Sequence, residues 1–208
     1  MKHTEIEFKW EANSPRAFTN MREALSTTCE KISLAKKWKI VDTYLETPSQ
    51  TLTKQQIAFR VRHVNQSWEA TFKTRTEIKN GKAVRREETL ALPDVKNISQ
   101  ALRFLQHKKT WKGLQLTELR PIFTLKNRRE TYDIILRNMR AELAFDTCEL
   151  NVCGRRVHFK EIELEHKKGS AIIFEKLAAQ LTQTSKLKRA EISKVKTAFL
   201  LLKLWGKK

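Results

Sequence analysis

The chain has 208 residues, 40% of them apolar, which is enough for one domain with a core of its own over 1–208. Its 42 Lys and Arg against 23 Asp and Glu give a net charge of +19. That balance favours a polyanionic partner: nucleic acid, an anionic surface or a phosphate-rich small molecule. No apolar run reaches the length of a transmembrane segment and the first residues lack the order of a secretory signal, so a cytoplasmic, reduced protein is expected. Three cysteines without CxxC spacing and five histidines without HExxH spacing argue against a disulfide framework and a zinc site.

In chain order, the first expected strand is 4–11, where Glu5, Glu7 and Lys9 share one face and Ile6, Phe8 and Trp10 the other. A helix is expected over 15–31, with Ser14 as its cap and Pro15 in its first turn. Strands at 37–46 and 57–63 follow, the second turning Arg60 and Arg62 away from Phe59 and Val61. Residues 67–76 align Glu69, Thr71, Lys73 and Arg75 against Phe72. Past the Asn80-Gly81 turn, 84–92 sets Arg85 and Glu87 opposite the Leu90 and Leu92 face and leaves Arg86 and Glu88 out of phase. A helix over 94–107 leads to strands at 116–130 and 131–138, the first aligning Lys126 and Arg128 against Leu125. Residues 141–147 set Glu142, Ala144 and Asp146 against Leu143 and Phe145. Residues 156–166 set Glu161, Glu163 and Glu165 against Ile162 and Leu164. Helices over 169–182 and 188–204 end the series, the last with a lysine-rich face.

Alternation alone is also the mark of a sheet with one wet face. Here, however, strand after strand concentrates ExE, RxR and ExExE at tight spacing. If such a sheet closes on itself, its apolar face packs outward on helices and its charged face points inward, where charges persist only when paired, solvated or ligated. The expected fold is therefore α+β: a closed antiparallel β-barrel, or tunnel, with helices outside. Lys9, Arg60, Arg62, Lys73, Arg85, Lys126 and Arg128 suit phosphate oxygens. The carboxylates suit hard divalent cations such as Mg2+ or Mn2+, which take oxygen ligands and bridge phosphates.

The ordered set ExExK (Glu5, Glu7, Lys9), DTYLET (Asp42, Tyr44), FRVR (Arg60, Arg62), Lys73, RxE (Arg85, Glu87), KxR (Lys126, Arg128), Asp146, EIELE (Glu161, Glu163) and SK (Ser193, Lys194) resembles the CYTH, or triphosphate tunnel metalloenzyme, family. The resemblance implies eight antiparallel strands around a bound triphosphate, with Mg2+ or Mn2+ on Glu5, Glu7, Asp146, Glu161 and Glu163. It implies phosphate contacts from Lys9, Arg60, Arg62, Lys73, Arg85, Lys126 and Arg128. Glu87 would bind metal or orient a water, and Lys194 would reach a terminal phosphate. Two positions depart from the pattern: Thr89 stands where a third tunnel carboxylate is usual, with out-of-phase Glu88 beside it, and Glu46 replaces an aspartate.

The implied activity is a metal-dependent triphosphatase acting on inorganic triphosphate or another triphosphate-bearing molecule. The alternatives are a class IV type adenylyl cyclase and a non-catalytic tunnel that binds polyphosphate or RNA. With no partner domain in the chain, it would act alone or as a homodimer. Trp38, Trp68 and Trp111 are candidates to hold an organic group at the tunnel mouth, though packing serves them equally well. The basic excess at Lys36, Lys37, Lys39, Lys108, Lys109 and the C-terminal lysines leaves room for contact with nucleic acid or an anionic membrane.

Overall fold

The computed structural model describes residues 2–29, 31–74, 77–111 and 113–206; Arg75, Lys207 and Lys208, all invoked above, lie outside the described residues. The elements run β1 (Lys2–Glu11), α1 (Ala17–Thr28), β2 (Lys36–Glu46), α2 (Thr51–Lys54), β3 (Ala58–Val64), β4 (Ser67–Lys73), β5 (Glu77–Lys79) and β6 (Lys82–Ala91). They continue with α3 (Ile98–Lys108), β7 (Thr110–Trp111), β8 (Leu114–Gln115), β9 (Arg120–Leu136), β10 (Met139–Val152), β11 (Arg155–Lys168), α4 (Ala171–Ser185) and α5 (Lys194–Trp205).

Neighbouring strands follow the order β1-β11-β10-β9-β2-β3-β4-β6, and β6 pairs back on β1, so eight antiparallel strands close into a barrel. The short β5 extends β6 as a hairpin through Asn80 and Gly81, both at positive φ as a tight two-residue turn requires. Closure makes inward and outward faces unequal, and three clusters record how each is filled. Outside β1, β10 and β11, residues such as Phe8, Trp10, Leu143 and Leu164 pack on α1 and α4. Outside β3, β4 and β6, Phe59, Val61, Ala70 and Leu92 pack under α3 and the β7–β8 hairpin. The third cluster lies at one end of the lumen, where Tyr44, Phe123, Leu125, Cys148, Leu150 and Val152 meet Ala198, Val195 and Phe199 of α5. That helix stoppers the barrel.

Of the boundaries that differ from the expected ones, three bear on the site or its frame. α1 starts after Ser14 and Pro15, because Ser14 instead accepts the Ala17 N–H in a turn and Arg16 takes the cap position. The two expected strands over 116–138 are one continuous β9. Residues 188–190 do not join the last helix: the Lys188 carbonyl accepts from Glu11 and the Ala190 N–H donates to Lys9, holding this stretch against β1. α5 begins only where the Ser193 side chain caps it, accepting from the Lys196 N–H. That late start puts Lys194 at the helix's first residue and the mouth of the plug.

Candidate active site in the barrel lumen

The lumen holds a cavity of about 230 Å3 lined by side chains from every barrel strand except β10, and by the start of α5. Glu5 and Lys9 come from β1, Arg60 and Arg62 from β3, Lys73 from β4, Arg85 and Glu87 from β6, and Glu163 from β11. The parity read from sequence thus holds on these strands. Glu7, Asp146 and Glu161 are buried beside them.

The charges sort into three groups. In the first, Arg62 grips Asp42 through a two-pronged fork, Nε to Oδ1 at 2.7 Å and Nη2 to Oδ2 at 2.9 Å, while Arg60 Nη1 donates to Oδ2 at 3.2 Å. Burial would raise the Asp42 carboxyl, but Arg60 and Arg62 hold it well below the usual carboxylate range. In the second, Arg85 donates to Glu5 and to Glu87 (3.0 Å) and lies 3.1 Å from Glu7, while Lys73 meets Glu87 closely and Glu5 at 3.9 Å. Burial, together with Arg60 and Arg85 nearby, brings the Lys73 ammonium down to about 8, the carboxylates offsetting only part of the penalty.

The third group gathers carboxylates. Asp146, Glu161 and Glu163 each present an oxygen within 4.8 Å of the others. Lys194 reaches all three, donating to Asp146 and lying 2.9 Å from Glu161 and 3.1 Å from Glu163. Lys9 donates to Glu163 and sits 3.1 Å from Glu7 and 3.6 Å from Glu161. Burial pushes Glu161 up to about 7 despite Lys194 and Lys9, whereas those cations and Arg129 overcome burial at Glu163 and keep it ionised. The two neighbours are thus pushed apart, Glu161 upward chiefly by burial and Glu163 downward by its cations. Glu161 Oε2 is buried without a well-directed hydrogen bond. Three carboxylates converging in this way form an all-oxygen donor set, which fits a hard divalent cation. Glu5 and Glu7, the other two expected metal ligands, are buried in the same lumen and pair with Arg85, Lys73 and Lys9.

Two expected phosphate ligands are displaced. Lys126 and Arg128 stand outside the barrel, exposed, and Lys126 meets Glu149 at 3.1 Å. The lumen side of β9 carries Leu125, Asn127 and Arg129. Leu125 was the misleading marker: it is apolar because it faces the α5 plug, not because it packs under an outer helix. Arg129, missed from the sequence, donates to Asp146 at 2.7 and 2.6 Å and also to Glu163. Its signal was the second arginine of KNRR, one residue from the one chosen. Lys9 stays in the lumen and pairs with Glu7, Glu161 and Glu163, as the other lumen cations pair with carboxylates.

Thr89 does line the lumen, 3.4 Å from Thr71, whereas Glu88 points outward to Trp111 and does not replace the absent carboxylate. Glu46 leaves the tunnel chemistry altogether, accepting from the N–H groups of Thr47, Leu52 and Thr53 at the start of α2. Trp111 packs on Phe59 and Trp68 on His63, both outside the barrel, and Trp38 donates to Thr131.

The CYTH domain model matches residues 3–199 of this chain. The chain belongs to the CYTH family. No curated protein matches it by sequence. Among solved structures, this CYTH domain is similar to a Hippeastrum protein, a candidate adenylyl cyclase described as having a dominant triphosphatase activity; identity is 17%, coverage 96% of this chain and 95% of that one, and the TM-score 0.65. It is also similar to a Pyrococcus horikoshii protein (19%, 96% and 99%, 0.63) and to a candidate adenylate cyclase from Bacillus halodurans (20%, 95% and 98%, 0.59). At these identities the likeness is one of fold. None of the helices among the described residues is long and apolar enough to cross a membrane.

Proposed function

We propose that this CYTH protein is a divalent-metal-dependent triphosphatase that works inside its barrel, with inorganic triphosphate the simplest substrate. The observation that carries the reading is the sorting of charge in the lumen: Arg60, Arg62 and Arg85 come from β3 and β6, while Asp146, Glu161 and Glu163 cluster on β10 and β11 with Arg129 beside them. Arg60, Arg62, Lys73, Arg85 and Arg129 are all paired with carboxylates, and triphosphate oxygens would take over those partners. Asp146, Glu161 and Glu163 would hold the metal, Mg2+ or Mn2+. When bound, such an ion neutralises and polarises phosphate oxygens. Lys194, which touches the cluster, would neutralise the terminal phosphate, and Glu87 would orient a water. Phosphoryl transfer depends mostly on such positioning and charge, so no nucleophilic side chain is required.

The test is product analysis with inorganic triphosphate and with ATP, each with Mg2+, with Mn2+ and with EDTA. Metal-dependent orthophosphate release from triphosphate is the expected result. Cyclic AMP and diphosphate from ATP would move the assignment to a cyclase. Tight triphosphate binding without turnover under every metal condition would leave only a binding tunnel.

A further inference from the structure

Helices cover the barrel's outer face in two arcs, one over β1, β10 and β11 and one over β3, β4 and β6. Between them β2 and β9 are bare, and this strip of bare sheet continues onto the parts of β10 and β11 beyond the helices, where Thr147 and Lys160 are exposed. Its outward side chains form a cross-strand row in which Lys39 of β2 lies opposite Arg128 of β9, Arg128 opposite Thr147 of β10, and Thr147 opposite Lys160 of β11. Lys126 and Arg156 lie alongside, and Lys39, Lys126, Arg128, Arg156 and Lys160 are all exposed. Like charges placed directly opposite destabilise a sheet. Lys39 against Arg128 is thus an arrangement that folding alone does not favour, and an anionic partner would reverse its sign.

The strip also has a recess. Between α1 and the edge of this row lies a cavity of about 410 Å3 whose floor includes Phe18 and Phe145, edge to face at 5.1 Å, and whose rim includes Arg22, Lys37, Lys39 and Arg128. Lys160 stands over the Phe18 ring at 5.2 Å. Glu130, the acid on the rim, is already held by Arg22 at 3.0 Å. Aromatic rings sunk beneath a cationic row suit a planar base attached to a phosphate chain.

We propose that this strip binds single-stranded nucleic acid, with an unpaired base entering the Phe18 recess and backbone phosphates on Lys39, Arg128 and Lys160. A duplex keeps its ring faces stacked and would leave the recess unused. A membrane is the poorer fit, because the exposed side chains of the row itself are charged or polar, and large exposed apolar side chains such as Ile172 and Leu204 belong to α4 and α5. Lys39, Arg128 and Lys160 are on the opposite face of the sheet from the lumen, so the proposal does not depend on what the tunnel hydrolyses.

The probe is a fluorescent 5′-hydroxyl oligonucleotide, ribo and deoxy forms in parallel, followed by anisotropy across a salt series. A strand without a triphosphate has no claim on the tunnel. The wild-type chain should bind it with affinity that falls steeply with salt, and Lys39→Glu with Arg128→Glu should weaken binding roughly tenfold or more and flatten the salt slope. Lys108→Glu with Lys109→Glu, an identical charge change elsewhere, should cost less than about twofold by the same reasoning. Phe18→Leu, checked for an unchanged melting curve, should weaken single-strand binding while leaving duplex binding alone. Equal losses in the two charge-reversed pairs, displacement of the strand by inorganic triphosphate, or equal affinity for duplex would each overturn the proposal. So would anionic vesicles losing affinity for the Lys39/Arg128 variant while the oligonucleotide does not.

Discussion

The two ends of the barrel follow opposite rules. Around Asp146 and Glu163 the lumen is charged and the outer face, Phe145 and Leu164 among it, is apolar beneath α1 and α4. A few residues along the same strands the order inverts: Leu125, Leu150 and Val152 face inward onto α5, while Lys126, Arg128 and Glu149 face out. What decides which side of a strand is apolar is therefore where a helix sits, inside or outside, and one continuous strand can serve both rules without a bulge in its register.

The strongest way to break this comparison is to put a charge on the wrong side of the stoppered end. Leu150→Glu would bury an unpaired carboxylate beneath α5 and should cost about 3–5 kcal/mol. Glu149→Gln, one residue along and outward, should stay within about 0.5 kcal/mol. Urea unfolding of the two variants checks the contrast, and equal midpoints would mean α5 does not seal the lumen.

At the charged end, Glu163→Gln should reduce orthophosphate release by roughly 100-fold or more, since the cluster loses a charged donor that Lys9, Lys194 and Arg129 all engage. Calorimetric titration with Mn2+ should show the affinity falling with it. A smaller effect separates the neighbours of KNRR. Arg129→Ala should lower kcat/KM about tenfold, as loss of one charge-assisted contact does, whereas Arg128→Ala should leave hydrolysis unchanged. Equal kinetics would return β9 to the parity expected from its sequence.

The mildest prediction concerns pH. Lys73 is protonated below about 8 and loses its charge as pH rises through that value, so KM for triphosphate should climb severalfold on the alkaline side. Lys73→Met should remove that limb of the profile. The same depressed value means that the folded chain binds fewer protons than the unfolded one between about 8 and the ordinary lysine range, so stability should rise slightly over that interval while activity falls. A melting temperature that rises together with KM distinguishes this from general alkaline unfolding, in which the melting temperature falls.

The sequence was legible where helices lie outside. Glu5, Glu7, Arg60, Arg62, Lys73, Arg85, Glu161 and Glu163 all face the lumen side, because in each strand an outward Phe, Val, Ile or Leu marks the helix-covered face. It misled at Lys126 and Arg128 because Leu125 was judged by the same rule at the one end where the packing helix is inside. Local pattern tells that a residue is buried, not which of two enclosed spaces receives it. Ser193 and Lys194 were findable as a pair, but the start of α5 was not, since the pairing of Lys188 and Ala190 with β1 is a tertiary event.

The ammonium of Lys9 and the carboxylate that receives it, on Glu163, are 154 positions apart along the chain. Before β1 meets β11 there is no enclosed lumen, only charged side chains of both signs along open hairpins, far more comfortable in water. Ring closure and site assembly are thus the same late event, and contacts of such long sequence separation form slowly. Turnover can consequently serve as a clock for folding: in a refolding experiment followed in parallel by far-UV dichroism and phosphate release, secondary structure should return first and catalysis only when the circle of strands is complete.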